Sequence, residues 1–537
     1  MFRILLAAGL LLLDAPAMAK SEPTPAQLAV DHGLVTARFH PSLPDTQLGV
    51  PMLSPPTIGL RPSGGRDDGR DDIYLELRED DADSFGRWLP AGRYRLASWR
   101  QSRWEEGPEI EVVAGRITDL GEVLEVSLGG DDVVLLPLAH PEVDARLDVW
   151  RKEAGAHLAS PEPLRWQPAE VPAPVKMTLQ GTGQLYGGGL LMDLMMRKQR
   201  DANRTEARAQ LRELRSPAEF QARVLDAMPP TRDDAAVGED GRLYFGADFG
   251  RIRVREADGR WHTLDTGALA DITAVEWHAG RLLAGTERGV LLASTDDGAT
   301  WSTLRRFDAN EAIGDVDHAG GRWFVTTTHR AYNPKSRMYS SVRTTLYVAA
   351  EDDLSDLSES ARFAQKINSG FVTWKFGRGE AHGDHYYVEA YPELHRLHLP
   401  SGEWTTQKVP GSVAGLAVSP GSGAVTVLAT GLYLSTNHGD RFVRLYAPGG
   451  KGLVANGRFH DSGSGWLATW RNTSLSTSVL VVHELAKGQG WTTHGEAPLG
   501  CRLLLRDAAG DPSFCASVDG SLFRREPTGW HEEFSID

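Results

Sequence analysis

From about residue 236 the apolar positions fall in short β-rich runs separated by glycine-bearing turns, and the pattern recurs down the chain. Each unit reads as strand, turn, Gly-rich strand, strand, and a glycine turn followed by a bulky ring. The units span 236–264, 272–304, 313–363, 371–409, 413–445, 452–495 and 501–534. The ring after the last turn recurs at Trp261, Trp301, Trp404, Phe442, Trp491 and Trp530, and the interval from Trp301 to Trp404 holds two units. Seven four-stranded units over 236–537 predict a seven-bladed β-propeller, with six or eight blades as alternatives. The closing strand is not readable from the pattern.

Before residue 236 the pattern changes twice. Between Leu34 and Val149 the text is strand-like, as in Val35-Thr36-Ala37-Arg38-Phe39, Ile73-Tyr74-Leu75-Glu76-Leu77 and Ile110-Glu111-Val112-Val113. This predicts a small antiparallel β-sandwich over 30–150. Residues 155–230 open with Pro161, Pro163, Pro168, Pro172 and Pro174, a stiff linker. Leu190, Leu191, Leu194, Met195, Ala207, Leu211 and Leu214 then sit at helical spacing, with charged residues on the other face. A connector helix, and a second short one at 217–227, are expected there. The Gly187-Gly188-Gly189-Leu190-Leu191-Met192 stretch reads as a surface that packs on a neighbouring domain.

Targeting and charge narrow the function classes. Arg3, the apolar run Ile4 to Leu13 and the small-x-small Ala17-Met18-Ala19 read as a secretory signal peptide over 1–19, so the expected location is the bacterial periplasm or outside the cell. A net charge of -15 argues against nucleic-acid backbone binding. Cys501 and Cys515 flank a turn at 508–511, where a simple hairpin sets them opposite each other; a disulfide and two buried thiols are both open readings. Arg66-Asp67-Asp68-Gly69-Arg70-Asp71-Asp72 carries its own neutralising arginines and reads as a solvated loop rather than a calcium site.

One stretch carries a family resemblance. Ser294-Thr295-Asp296-Asp297-Gly298-Ala299-Thr300-Trp301 has the form S-x-D-x-G-x-T-W, in which Ser294, Asp296, Gly298 and Trp301 form the turn. It resembles the Asp-box (BNR repeat) of sialidase-like β-propellers, and Ser435-Thr436-Asn437-His438-Gly439-Asp440-Arg441-Phe442 is a weakened copy. The motif serves hydrolases, lectins and scaffolds alike. Sialidases also carry an Arg-Ile-Pro motif; here Arg251-Ile252-Arg253 lacks the proline. The chain has length for one propeller, unlike the two-propeller xyloglucanases. It is closer in type to the noncatalytic, exported photosystem-assembly-factor-like propellers, which implies protein binding without catalysis. Leu89-Pro90-Ala91-Gly92-Arg93-Tyr94-Arg95-Leu96 and Val113-Ala114-Gly115 resemble prealbumin-like or carboxypeptidase-regulatory-like sandwiches.

Candidate binding residues lie in the long loops between second and third strands. Arg330, Tyr332, Lys335, Arg337 and Tyr339 form one cluster, Tyr391 a second, and Trp470 with Arg471 a third. Tyrosine, tryptophan and arginine dominate interface hot spots. His382-Gly383-Asp384-His385, with Glu389, His395 and His398, is the densest metal-capable stretch, but spacing of three on a strand points the pair to opposite faces, and no metal or other cofactor is assigned. The expectation is a noncatalytic exported adaptor that binds a protein or envelope glycan through one propeller face. The alternative is a glycoside hydrolase or sialidase-like carbohydrate-binding protein.

Overall fold

The computed structural model describes residues 30–42, 58–65, 71–80, 84–99, 102–129, 132–138, 143–160, 162–179, 206–308, 310–334, 338–350, 354–365, 376–413, 415–429, 431–445, 453–461, 463–473, 478–517 and 520–535. The 1–19 segment, most of the 66–72 loop and the 187–192 stretch lie outside them.

The C-terminal repeats form seven four-stranded antiparallel sheets, so the blade count is seven. Blades 1 to 7 run over residues 236–265, 272–306, 311–364, 378–407, 415–445, 453–496 and 501–534. In each, the first strand is innermost and the fourth outermost. Each blade is one contiguous stretch of chain, so the ring closes without a strand shared between the ends. The seam is made by side chains. Glu533 of blade 7 accepts from Arg255 Nε and Nη2 of blade 1 at 2.8 and 2.7 Å and from Trp261 Nε1 at 2.9 Å. Trp261 also meets Phe514 edge-on, with ring centroids 5.8 Å apart. Glu533 is largely buried here, so Glu533→Ala should lower the thermal midpoint by the equivalent of about 2 kcal/mol, measured by calorimetry. An unchanged midpoint would show that the seam is held elsewhere.

The turn at 294–301 shows what the glycine and the ring do in blade 2, where Trp301 Nε1 also donates to the Gly298 carbonyl at 3.0 Å. Gly298 N donates to Ser294 Oγ at 2.8 Å, and Thr300 N and Oγ1 donate to the Asp296 carboxylate at 2.9 and 2.6 Å. These bonds, the Thr300 hydroxyl first, hold the Asp296 carboxyl down at about 2. Gly298 sits at φ 88° with Leu264 of blade 1 against it, so a Cβ would collide with Leu264 as well as strain the backbone. Ser435, Asn437 and Gly439 repeat the cage between the third and fourth strands of blade 5.

The N-terminal part departs from the expected antiparallel sandwich. Its eleven strands form one mixed sheet that returns on itself: His32–Ser42 pairs antiparallel with Phe85–Pro90 and parallel with Ile117–Ser127. Hydrogen-bonded closure leaves that ring without a free edge. Leu60, Leu75, Leu96, Trp104, Leu120, Val133 and Leu135 fill it. Two of its strands, Leu164–Arg165 and Val175–Leu179, come from the stretch read as linker. The alternation there is real, with Val175 and Met177 buried and Lys176 exposed, but the surrounding prolines mask it. A helix, α1 (Val143–Ala154), lays Leu147 and Trp150 on the outside of the ring beside Leu34 and Ile117. Two short helices follow, α2 (Glu206–Leu211) and α3 (Pro217–Asp226); Ser216 caps α3 through the Glu219 amide.

Candidate functional site

In each blade the turn between the second and third strands, and the connection to the next blade, emerge on the same face. The N-terminal barrel sits on that face over blades 1 to 3. Leu124, Val126, Leu136 and Leu138 of the barrel share one core with Phe220, Val224 and Met228 of the α3 region, with Ala247 and Phe249 of blade 1 and with Leu269 in the connection to blade 2. Arg288 of blade 2 donates to Glu122 at 2.7 Å, a pair almost wholly buried. Asn310 Nδ2, between blades 2 and 3, donates to the Asp80 carbonyl at 3.1 Å.

This placement corrects the first loop cluster as a partner-facing site. Arg330 is buried and donates to the Glu287 carbonyl at 3.3 Å. Tyr339 is buried and its hydroxyl donates to the Arg78 carbonyl of the barrel at 2.7 Å. Tyr332 is half-buried and packs edge-on against Tyr339, 5.5 Å between centroids. Tyr339 thus ties the propeller to the barrel, and Arg330 ties blade 3 to blade 2. Lys335 and Arg337 lie outside the described residues.

The other candidates occupy the same face farther round the ring. Tyr391, half-buried, precedes Pro392 through a cis peptide in the turn of blade 4. On blade 6, Trp470 is half-buried and Arg471 exposed, the latter ion-paired with Glu496. Leu499, in the connection from blade 6 to blade 7, is 57% exposed. A single leucine between Pro498 and Gly500 gave no signal in the sequence.

The propeller axis holds a charged network that sequence reading missed. Residues 230–235 enter the ring ahead of the first blade, with Thr231 N donating to the Gly246 carbonyl at 2.8 Å. Asp233 then reaches three blades. Its Oδ1 accepts from Arg378 Nη1 and Nη2 of blade 4, both at 3.1 Å; its Oδ2 accepts from Asn456 Nδ2 of blade 6 at 2.6 Å and lies 3.5 Å from Arg506 Nε of blade 7. Arg232 reaches blade 3, donating to the Gly314 carbonyl at 2.8 Å, 3.4 Å from Asp315. Glu380 of blade 4 lies 3.3 Å from Arg458 and 3.7 Å from Arg506. Burial alone would raise the Asp233 carboxyl; Arg506 and Arg378 outweigh it and hold the group well below the usual carboxylate range.

Facing this cluster are three carboxyls with the opposite bias, Glu276, Asp315 and Asp317. Glu276 and Asp317 occupy the position three residues before the first turn of blades 2 and 3, the place that Glu380 takes in blade 4 beside the arginines. Burial, with Asp315 beside it, pushes Glu276 up to about 8. Asp315 and Asp317 are also raised, by burial and then by neighbouring carboxyls. Tyr386 donates to Asp317 at 2.5 Å and is itself fully buried, stacked on Phe324. Tyr386 is closed off from solvent, and the arginines face Asp233, Asp315 and Glu380 of the chain itself.

The histidine-rich stretch does not converge. His382 and His385 face each other across the ends of a hairpin; His385 stacks on His438 at 4.8 Å, while buried His395 stacks on Phe363 at 4.0 Å. Among the described residues no group of three or more His, Cys, Asp or Glu is placed to hold a metal ion. Cys501 and Cys515 form a disulfide with Cα atoms 5.8 Å apart. They are not opposite in the ladder, as a simple hairpin would have them: a register shift after Cys501 sets it against Ser517, and Cys515 against Leu504.

No family model matches the chain, and no curated protein matches it. Among solved structures it is similar to YCF48 from Cyanidioschyzon merolae, with 12% identity over 57% of this chain and 97% of that one and a TM-score of 0.42. It is similar to YCF48 bound to D1 peptide, with 11% identity over 50% of this chain and 82% of that one and a TM-score of 0.37. It is also similar to BamB from Moraxella catarrhalis, with 13% identity over 55% of this chain and 96% of that one and a TM-score of 0.33.

Proposed function

We propose that this protein is a noncatalytic, exported scaffold that binds a protein partner on the open arc of its barrel-bearing face. The observation that carries the reading is the contrast around that face. Blades 1 to 3 are covered by the barrel, while blades 4 to 6 and the connection beyond present Tyr391, Trp470, Arg471 and the 57%-exposed Leu499. An aromatic and aliphatic patch with one arginine at its edge is the composition of a protein-binding surface. The axis supports the same reading, because its arginines are engaged by carboxylates of the chain itself. Export rests on the Met1–Ala19 signal pattern and is supported by the Cys501–Cys515 disulfide, a bond that persists in oxidising compartments. No described helix is long and apolar enough to cross a membrane.

The test is crosslinked capture in the native envelope, with Arg471→Glu/Leu499→Glu beside Val443→Glu. Val443 is equally exposed, at 57%, but follows the turn that leaves the opposite face. The double variant should lose the partner recovered by the wild type, with an unchanged thermal midpoint, while Val443→Glu retains it. Equal recovery by the double variant, or loss in Val443→Glu, would overturn the reading.

A further inference from the structure

A cavity of about 330 Å³ lies where the last turn of α3 meets blade 1 and the end of blade 7, away from the open arc. Arg223, Asp226, Arg253, His262, Thr263 and Phe534 line it. Arg253 is 1% exposed, on the third strand of a blade where an apolar side chain is the ordinary occupant. Its Nη1 donates to the Asp226 carbonyl and, at 2.7 Å, to Thr263 Oγ1. The Thr263 hydroxyl donates to the same carbonyl at 3.0 Å, so the end of α3 is already satisfied. That leaves Nε and Nη2 of Arg253 buried and without a hydrogen-bond partner. Phe534 lies over the guanidinium, 4.1 Å from Cζ to ring centroid, and keeps bulk water from it.

Two unpaired donors on a buried cation are costly, since the lost hydration has no replacement. Helix capping accounts for Nη1 alone. The lining offers guanidinium donors from Arg223 and Arg253 beside the carboxylate of Asp226, while the Thr263 hydroxyl is committed to the Asp226 carbonyl and His262 Nδ1 lies 3.5 Å from the Glu256 carboxylate. A guanidinium presents its donors as a planar fork that matches a carboxylate or phosphate. We propose that this cavity is a binding site for the oxyanion of a small molecule, a carboxylate or phosphate group seated on Arg253 and Arg223 with the Phe534 ring displaced to admit it. Burial supports the assignment by pushing the Arg253 guanidinium down to about 10, a bias that a bound anion reverses.

The experiment is calorimetric titration of the full chain with inorganic phosphate and with succinate, at constant ionic strength, with chloride as reference. At least one of the two should bind wild type in the millimolar range or tighter and raise its thermal midpoint beyond the chloride control. Arg223→Ala, at an exposed position, should weaken that binding roughly tenfold through the loss of one charge-assisted hydrogen bond. Arg253→Lys keeps the charge but loses the fork, and should weaken it at least as much; circular dichroism checks that α3 remains docked. Absence of binding beyond chloride, or wild-type binding by Arg223→Ala, would overturn the proposal whatever the fate of the Arg253 variant.

Discussion

Asp233→Ala should destabilise the propeller by about 3–5 kcal/mol, the usual cost of removing one partner from a buried ion pair. The Asp233 side chain is 5% exposed and faces Arg378, Arg506 and Asn456. Truncation leaves two guanidiniums and an amide without their common acceptor, on three different blades. Asp233→Asn separates charge from shape: it keeps the volume and an acceptor oxygen, so a comparable loss would assign the effect to charge. The pH dependence supplies a second readout. The folded-state carboxyl is held below its unfolded value, so its contribution is present above about pH 4 and is lost as the pH falls. Wild type and Asp233→Ala should therefore differ by the same amount from neutrality down to about pH 4 and by progressively less below it, as followed by denaturant unfolding between pH 2 and 7. A difference that stays constant down to about pH 2 would mean that the residue acts through packing alone.

Much of the ring was legible from the chain alone. Gly298 and Trp301, and their counterparts Gly439 and Phe442, mark a turn whose hydrogen bonds are local, so the signal survives in a single sequence. The axial network was not legible because its parts are distant in the chain: Asp233 draws on residues 378, 456 and 506, and none announces the others. The hint was present only as ionisable residues within otherwise apolar inner strands, as in Ile313-Gly314-Asp315-Val316-Asp317. The barrel was misread for a different reason. Alternation reports which face a strand buries, not which neighbour it takes, so the parallel pairing of His32–Ser42 with Ile117–Ser127 left no local trace. Tyr339 is engaged by the barrel and Arg330 by blade 2, because contacts inside one chain use the same chemistry as those between chains. Composition cannot tell the two apart.

The carboxyls opposite Asp233 lead to the second large effect. Glu276→Gln should stabilise the protein at alkaline pH and change little near pH 4.5. The Glu276 carboxyl rises from an ordinary 4.5 to about 8 in the folded chain, through burial and then the nearby Asp315. Between those values the folded state keeps a proton that the unfolded chain has released, so stability declines as the pH rises and the penalty is complete above about 8. A full shift of this size corresponds to several kcal/mol, but Glu276 is only half-buried, and solvent screening reduces the expected gain to roughly 2 kcal/mol. Glutamine mimics the protonated acid and carries no charge to desolvate. It also removes a like charge from Asp317, which Glu276 helps to hold in its neutral form beside Tyr386. The thermal midpoint of wild type should thus fall from pH 5 to pH 9 more steeply than that of the variant, the two curves meeting at the acid end. Parallel curves would mean that Glu276 is ionised in the folded state at neutral pH. The inner faces of blades 2 and 3 would then be a charged acidic wall rather than a protonated one facing the arginines across the axis.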